Sequence, residues 1–240
     1  MIISAHQPAY NPWLGLIHKI LISDVFVIMD DVQFEKNSFI NRNKILQNNN
    51  EVMLTIPVKT KEYKAKTLKE IETSDNRWKI KHKKSIEQAY KKSEHYSEVM
   101  DRLDKIYECK SGFLIDYTNL FLEFIVDYLK IDTQIVFASD LNIEAKKLDY
   151  VCELTNKLHG DVFVFGTLGK NYADVAYLKE RNIQPYFQDY NHPVYKQNVK
   201  EFHKYMGIVD LLFNEKKENI KDIILSQNAT KYDLKRLVNV

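Results

Sequence analysis

His6 and Gln7 directly follow an apolar N-terminal run, and two prolines, Tyr10 and Trp13 come within the next six positions. An imidazole exchanges a proton near neutral pH, so His6 is a candidate general base. Asp30 and Asp31 are adjacent carboxylates that would orient such a ring or bind a substrate ammonium, and they are the other candidate catalytic residues. Gln33, Asn41 and Arg42 follow in DDVQFEKNSFINRNKI and add hydrogen-bonding and cationic groups. Further on, Gly166 opens GTLGK, a glycine-containing turn ending in Lys170 whose amides and ammonium suit an anion. The turn lacks the full spacing of a P-loop or a dinucleotide fingerprint. His192 stands in NHPVY as a further histidine outside any apolar repeat. Together these side chains describe a site for a polar, anionic substrate. Each also has a structural use: Tyr10 and Trp13 would serve equally to pack a helix on a sheet, and aspartates at a strand end form turns.

Such groups matter only if the fold collects them. Residues 1–5 read as a buried strand, and Asn11-Pro12 reads as a helix cap followed by proline at the first helical position. The helix is therefore predicted to start at about Pro12, with Leu14, Ile17, Ile20 and Leu21 on its apolar face. VFVIM then reads as a second strand, which makes a strand–helix–strand unit of a parallel sheet. Ligands of such sheets bind beyond the carboxyl ends of the strands, which is where His6, Asp30 and Asp31 fall. EVMLTIPVK reads as a third strand, and QNNN before it as a loop tip. Residues 75–130 carry helical spacing, with a basic run KIKHKK and a more apolar segment, SGFLIDYTNLFLEFIVDYLKI. TQIVFASDL returns to strand character, a helix from Lys146 to His159 is closed by Gly160, DVFVF reads as a buried strand, and IQPYFQDYNHPVYKQ reads as a last edge-like strand with prolines at its borders.

The expected fold class is α/β: a mostly parallel sheet flanked by helices, Rossmann-like, with a helical insertion. The 240 residues are read as one domain, with 1–74 and 131–200 as α/β core, 75–130 as the insertion and 201–240 as a C-terminal helical segment. A formal charge of +2 provides no field that would argue for nucleic acid, so DNA is not an expected partner. The cysteines, Cys109 and Cys152, have neither disulfide-framework nor zinc-ligand spacing, so no metal site is indicated. No signal-peptide pattern and no apolar run near the ~20 residues of a bilayer span is visible. The cytoplasm is the expected compartment.

In order along the chain, HQPAYNPWLG, DVFVIMDDVQF, NRNKI, a glycine turn followed by Tyr172, and HPVYKQ resemble the WbqC-like protein family. The matching positions include His6, Gln7, Tyr10, Trp13, Gly15, Lys19, Asp24, Asp30, Asp31, Gln33, Asn41, Arg42, Gly166, Lys170, Tyr172 and His192. At the start of that turn relatives are expected to carry serine and glycine, where this chain has Gly166-Thr167. A second similarity, of the strand–histidine–helix start, is to the nucleotidylyltransferase fold of the HUP class. There an HxGH signature grips ATP, whereas here His6 is followed by Gln7, Pro8 and Ala9.

The family resemblance implies bacterial O-antigen, lipopolysaccharide or other surface-polysaccharide biosynthesis, with glycine transfer to an amino sugar as a suggested reaction. On that reading the protein is a transferase that acylates the amine of a nucleotide-linked amino sugar. His6 and Asp30 or Asp31 would do the proton chemistry. Arg42, Lys170 and the Gly166 turn would hold the diphosphate, and Tyr10 or Trp13 would stack on base or sugar. Gln7, Gln33, Asn41, Tyr172 and His192 complete the expected substrate-binding set. An amide requires an activated donor, so ATP, a thioester on a carrier protein or charged tRNA is implied, and the sequence leaves that choice open. A non-enzymatic nucleotide-sugar-binding or scaffold protein of glycan assembly, and an ATP-dependent adenylating enzyme, are the alternatives.

Overall fold

Runs of consecutive apolar residues, rather than alternating ones, form strands that must be covered on both faces. The computed structural model, which describes residues 1–237, shows this pattern in β1 (Ile2–His6), β2 (Val25–Ile28) and β6 (Val162–Phe165). In chain order α1 (Leu14–Leu21) lies between β1 and β2, and the hairpin of β3 (Arg42–Gln47) and β4 (Asn50–Thr55) follows. Next come α2 (Arg77–Tyr90), α3 (Tyr96–Glu108), α4 (Leu114–Leu129), β5 (Gln134–Phe137) and α5 (Lys147–Lys157). After β6 the chain forms α6 (Val175–Lys179), β7 (Gln184–Phe187), α7 (Ile208–Asn214), α8 (Lys217–Leu225) and α9 (Lys231–Arg236). The last three residues of the expected C-terminal helical segment, 238–240, lie outside the described residues.

The five-stranded sheet runs β5-β2-β1-β6-β7 with every neighbouring pair parallel. Its strands, taken by their order along the chain, stand third, second, first, fourth and fifth, the doubly wound α/β order. The expected α/β, Rossmann-like class is thus what the chain adopts. Side chains alternate across the sheet: Ile3, Ala5, Val25, Val27, Phe163 and Phe165 face a core with Cys152 and Leu154 of α5 and Leu178 of α6. Phe26 and Ile28 face the larger core of α1 and α4. Ile2, Val162 and Val164 meet Leu234 of α9.

Three local expectations are corrected. EVMLTIPVK supplies a strand, but β4 pairs antiparallel with β3, outside the parallel sheet. Asn48 and Asn49, with φ of 50° and 62°, make the left-handed two-residue turn that hairpins favour. Helix α1 begins after Trp13 rather than at Pro12, because Asn11 is left-handed at φ 48° and its Oδ1 accepts from Val209 N at 3.2 Å instead of capping the helix. At the end of α5 the left-handed residue is His159, φ 53°, not Gly160. Gly160 is required for space, since a Cβ there would lie 2.3 Å from Ile3 Cγ1.

Candidate functional site

The sheet order reverses direction at β1, between β2 and β6, and such a switch point opens a crevice at the carboxyl edge. The register shows where it opens. β1 pairs with β2 as far as His6 and Ile28, but with β6 only as far as Ser4 and Val164. Above this fork lies a cavity of about 500 Å³ whose walls include His6, Gln7, Trp13, Phe39, Leu168 and Tyr205.

His6 ends β1 at the cavity floor. Its Nδ1 lies 2.7 Å from the Gln7 carbonyl oxygen, which can only accept, so Nδ1 carries the proton. The Nε2 lone pair is left without a protein partner among the described residues, and Trp13 meets the ring edge-on at 5.1 Å. Burial in the crevice, and then the nearby Lys19 ammonium, bring the His6 pKa down to about 4 against the opposing Gln7 bond. His6 is therefore a neutral imidazole with an open basic nitrogen at physiological pH.

Lys19 lies on α1 beneath this floor. Helical side chains lean toward their helix N-terminus, so Lys19 reaches back to the carboxyl edge, where Nζ donates to the Ala5 carbonyl at 2.9 Å. The residue is only 4% exposed, and burial alone lowers its pKa to about 7. No carboxylate lies within ion-pair distance of it among the described residues.

The other expected site residues divide clearly. Gln7 and Trp13 line the cavity, and Gln33 joins Gln7 and Lys36 in a shallower depression beside it. Asp30 faces the opposite side of β2: its carboxylate accepts from Ser139 N at 3.0 Å and Ser139 Oγ at 2.7 Å, which anchors the short 3-10 turn after β5. Asp31, half-buried, accepts from the Tyr150 hydroxyl at 3.3 Å, and burial with the adjacent Asp30 raises its pKa. Asn41 Nδ2 donates to the Ile56 carbonyl at 2.8 Å, and Arg42 Nη2 donates to the Asn37 carbonyl, so both secure the hairpin. Gly166 precedes the 3-10 turn 167–171, and Lys170 and Tyr172 beyond it are exposed.

Tyr10 is fully buried, with its hydroxyl 2.8 Å from both His82 Nδ1 and Tyr107 OH and its ring edge-on to Trp78 and Phe121. It joins the loop after β1 to the helical layer and does not reach the cavity. His192 acts through a neighbour: Nδ1 bonds the Pro193 carbonyl at 2.9 Å and Nε2 accepts from Tyr205 N at 3.1 Å, fixing the residue whose ring lines the cavity. Tyr205 has φ 63°, and Gly207 just beyond it is obligatory, since a Cβ there would lie 2.1 Å from Asn11 Nδ2. Phe39, Leu168 and Tyr205 line the cavity, and sequence reasoning assigned none of them a role. The left-handed φ of Tyr205 and the close packing of Gly207 are visible only in the folded chain, so spacing alone gave no signal for this segment.

Among the described residues no group of three or more histidine, cysteine or acidic side chains is placed to hold a metal ion, and no helix is long and apolar enough to cross a membrane. The chain is 29% identical over 210 residues to the uncharacterized protein Rv1507c of Mycobacterium tuberculosis, an alignment that covers 87% of this chain and 91% of that one. The family model described as the WbqC-like protein family matches residues 7–222, which include the loop from Gln7 to Trp13, the Lys19 helix, the hairpin and the Tyr205 segment, and the chain belongs to that family.

Proposed function

We propose that the protein is a transferase that acylates the amine of a nucleotide-linked amino sugar, with glycine as the leading acyl group, in surface-polysaccharide biosynthesis. The observation that carries this reading is the neutral His6 with a free Nε2, opening on a cavity at the β1–β6 switch point. Amine acylation forms a C–N bond and breaks the C–S or C–O bond of the activated donor. A weak base suffices, because the amine nitrogen becomes strongly acidic once it has bonded to the carbonyl. His6 Nε2 takes that proton and returns it to the leaving thiolate of a thioester or alkoxide of a charged tRNA, or, with an adenylate donor, whose AMP leaves as a stable phosphate anion, to solvent. Trp13 and Tyr205 offer aromatic faces to the sugar or base, and Gln7 offers an amide at the cavity wall. Asp30 and Asp31, bonded to Ser139 and Tyr150 and outside the cavity lining, would support the neighbouring turns rather than touch the substrate amine.

A second reading, a binding protein that recognises a nucleotide sugar without turnover, is favoured by one observation. Asn41 and Arg42, expected to contact ligand, lie outside the cavity lining and donate to the Ile56 and Asn37 carbonyls. Mass spectrometry separates the two readings: the protein is incubated with a nucleotide-linked amino sugar and glycine plus ATP, carrier-bound glycyl thioester, or glycyl-tRNA. A product heavier by one glycyl residue, lost in His6→Asn, is expected, and the productive donor names the activation route. Tight binding with no product from any donor would leave the recognition protein.

A further inference from the structure

We propose that Lys19 is the buried cation that receives a phosphate oxyanion of the ligand at the β1–β6 fork. The inference rests on the reading of the crevice as a nucleotide-sugar site. An ammonium has three N–H donors, and among the described residues that of Lys19 has a single protein acceptor, the Ala5 carbonyl at 2.9 Å. That carbonyl lies just beyond the last β1–β6 register pair, Ser4 with Val164, so the ammonium sits where the two strands part, behind the cavity wall and close enough to His6 on that wall for its charge to lower the imidazole pKa. A lysine that is 4% exposed without a counter-charge is disfavoured in the empty protein, and a phosphate in the crevice would supply both the charge and the missing acceptors.

The neighbouring charged groups do not supply that counter-charge. Lys44 on the hairpin wall is paired with Glu51 at 2.6 Å. His18, next to Lys19 on α1, has both ring nitrogens engaged, Nδ1 by Gln188 and Nε2 by the Ala229 carbonyl. Glu35 belongs to the outer cavity wall and is exposed. Arg42 and Lys170, the cations the sequence favoured for the diphosphate, are respectively bonded to Asn37 and exposed beyond the Gly166 turn, which leaves Lys19 as the buried cation at the fork.

The test is calorimetric titration of the intact protein with uridine diphosphate, inorganic pyrophosphate and ATP, at pH 8 in two buffers of different ionisation enthalpy. Wild type is expected to bind uridine diphosphate and to take up close to one proton per site, because Lys19 becomes fully charged. Lys19→Met should lose that uptake and bind about 10- to 100-fold more weakly, as expected for a hydrogen bond to a charged group. Lys19→Gln keeps an N–H for the Ala5 carbonyl and should behave like Lys19→Met, which separates lost charge from lost structure. His6, with its pKa at about 4, is neutral at pH 8 in the empty protein, so an uptake that is lost in both Lys19 variants reports Lys19. Preference for ATP over uridine diphosphate would assign the phosphate to an adenylating donor while keeping the Lys19 role. Absence of binding by all three probes, or unchanged affinity in both Lys19 variants, would overturn the inference. Proton uptake with no glycyl transfer would preserve it while removing the transferase reading.

Discussion

A buried lysine without a counter-charge should make the empty protein less stable than it need be, and Lys19→Met measures by how much. Burial moves Lys19 from 10.5 to about 7. One pKa unit corresponds to about 1.4 kcal/mol, so the charged state destabilises the fold by about 5 kcal/mol below pH 7. The folded pKa is depressed, so this penalty is absent above the unfolded pKa of 10.5, grows as pH falls, and is complete below about 7. It should be about 3 kcal/mol at pH 8.5 and about 1 kcal/mol at pH 10. Methionine fills the space without charge but leaves the Ala5 carbonyl without its donor, a loss of about 1–3 kcal/mol. The net expectation is that Lys19→Met is more stable by about 2–4 kcal/mol at pH 6.5, and that the gain disappears or reverses by pH 10. Urea unfolding at these pH values, followed by circular dichroism, reads the difference directly. A variant less stable than wild type at pH 6.5, or a difference independent of pH, would refute the reasoning. Gained stability together with lost binding is what a site residue, as opposed to a packing residue, produces.

Tyr10→Phe removes a hydroxyl bonded to His82 and Tyr107 in the fully buried layer. It should lower unfolding stability by about 1–3 kcal/mol with unchanged calorimetric affinity for uridine diphosphate; weakened binding at an unchanged urea midpoint would place Tyr10 in the ligand site. His82, 4% exposed, is held neutral by burial with its pKa lowered from 6.5 to about 4. Because that folded value is depressed, stability is full above about pH 6.5 and declines by about 3 kcal/mol as pH falls to about 4. His82→Gln should flatten that stretch of the stability profile, and an equally steep profile in the variant would locate the acid sensitivity elsewhere.

The parallel sheet was legible because VFVIM, and VFVF after Asp161, are apolar at every position, and that demands cover on both faces. The hairpin was half legible: QNNN marked the tip, but only paired positive φ values at Asn48 and Asn49 fold β4 back on β3, and side-chain pattern does not encode pairing partners. The place of the crevice was legible from the chain order, since His6 ends the strand at the switch point. Its membership was not. Asp30 and Asn41 stand near the correct edge, yet their acceptors and donors, Ser139 and Ile56, are supplied by distant segments that sequence spacing does not reveal. Lys19 was read only as part of a motif, because a lysine near a helix end ordinarily sits in solvent; its burial follows from α1 packing flat on the sheet beside β1.

The central claim, that ligand enters the β1–β6 crevice and meets His6 Nε2, is tested most directly by ¹⁵N NMR of the imidazole nitrogens during titration with a nucleotide-linked amino sugar. Seven histidines report independently. His6 should appear as the Nδ1-protonated neutral tautomer, and its Nε2 resonance should move on binding, while His82 and His18 hold their positions. A second cavity of about 480 Å³ is bordered by His95 and Lys92. Shifts at His95 with a silent His6 would place the ligand there and contradict the account.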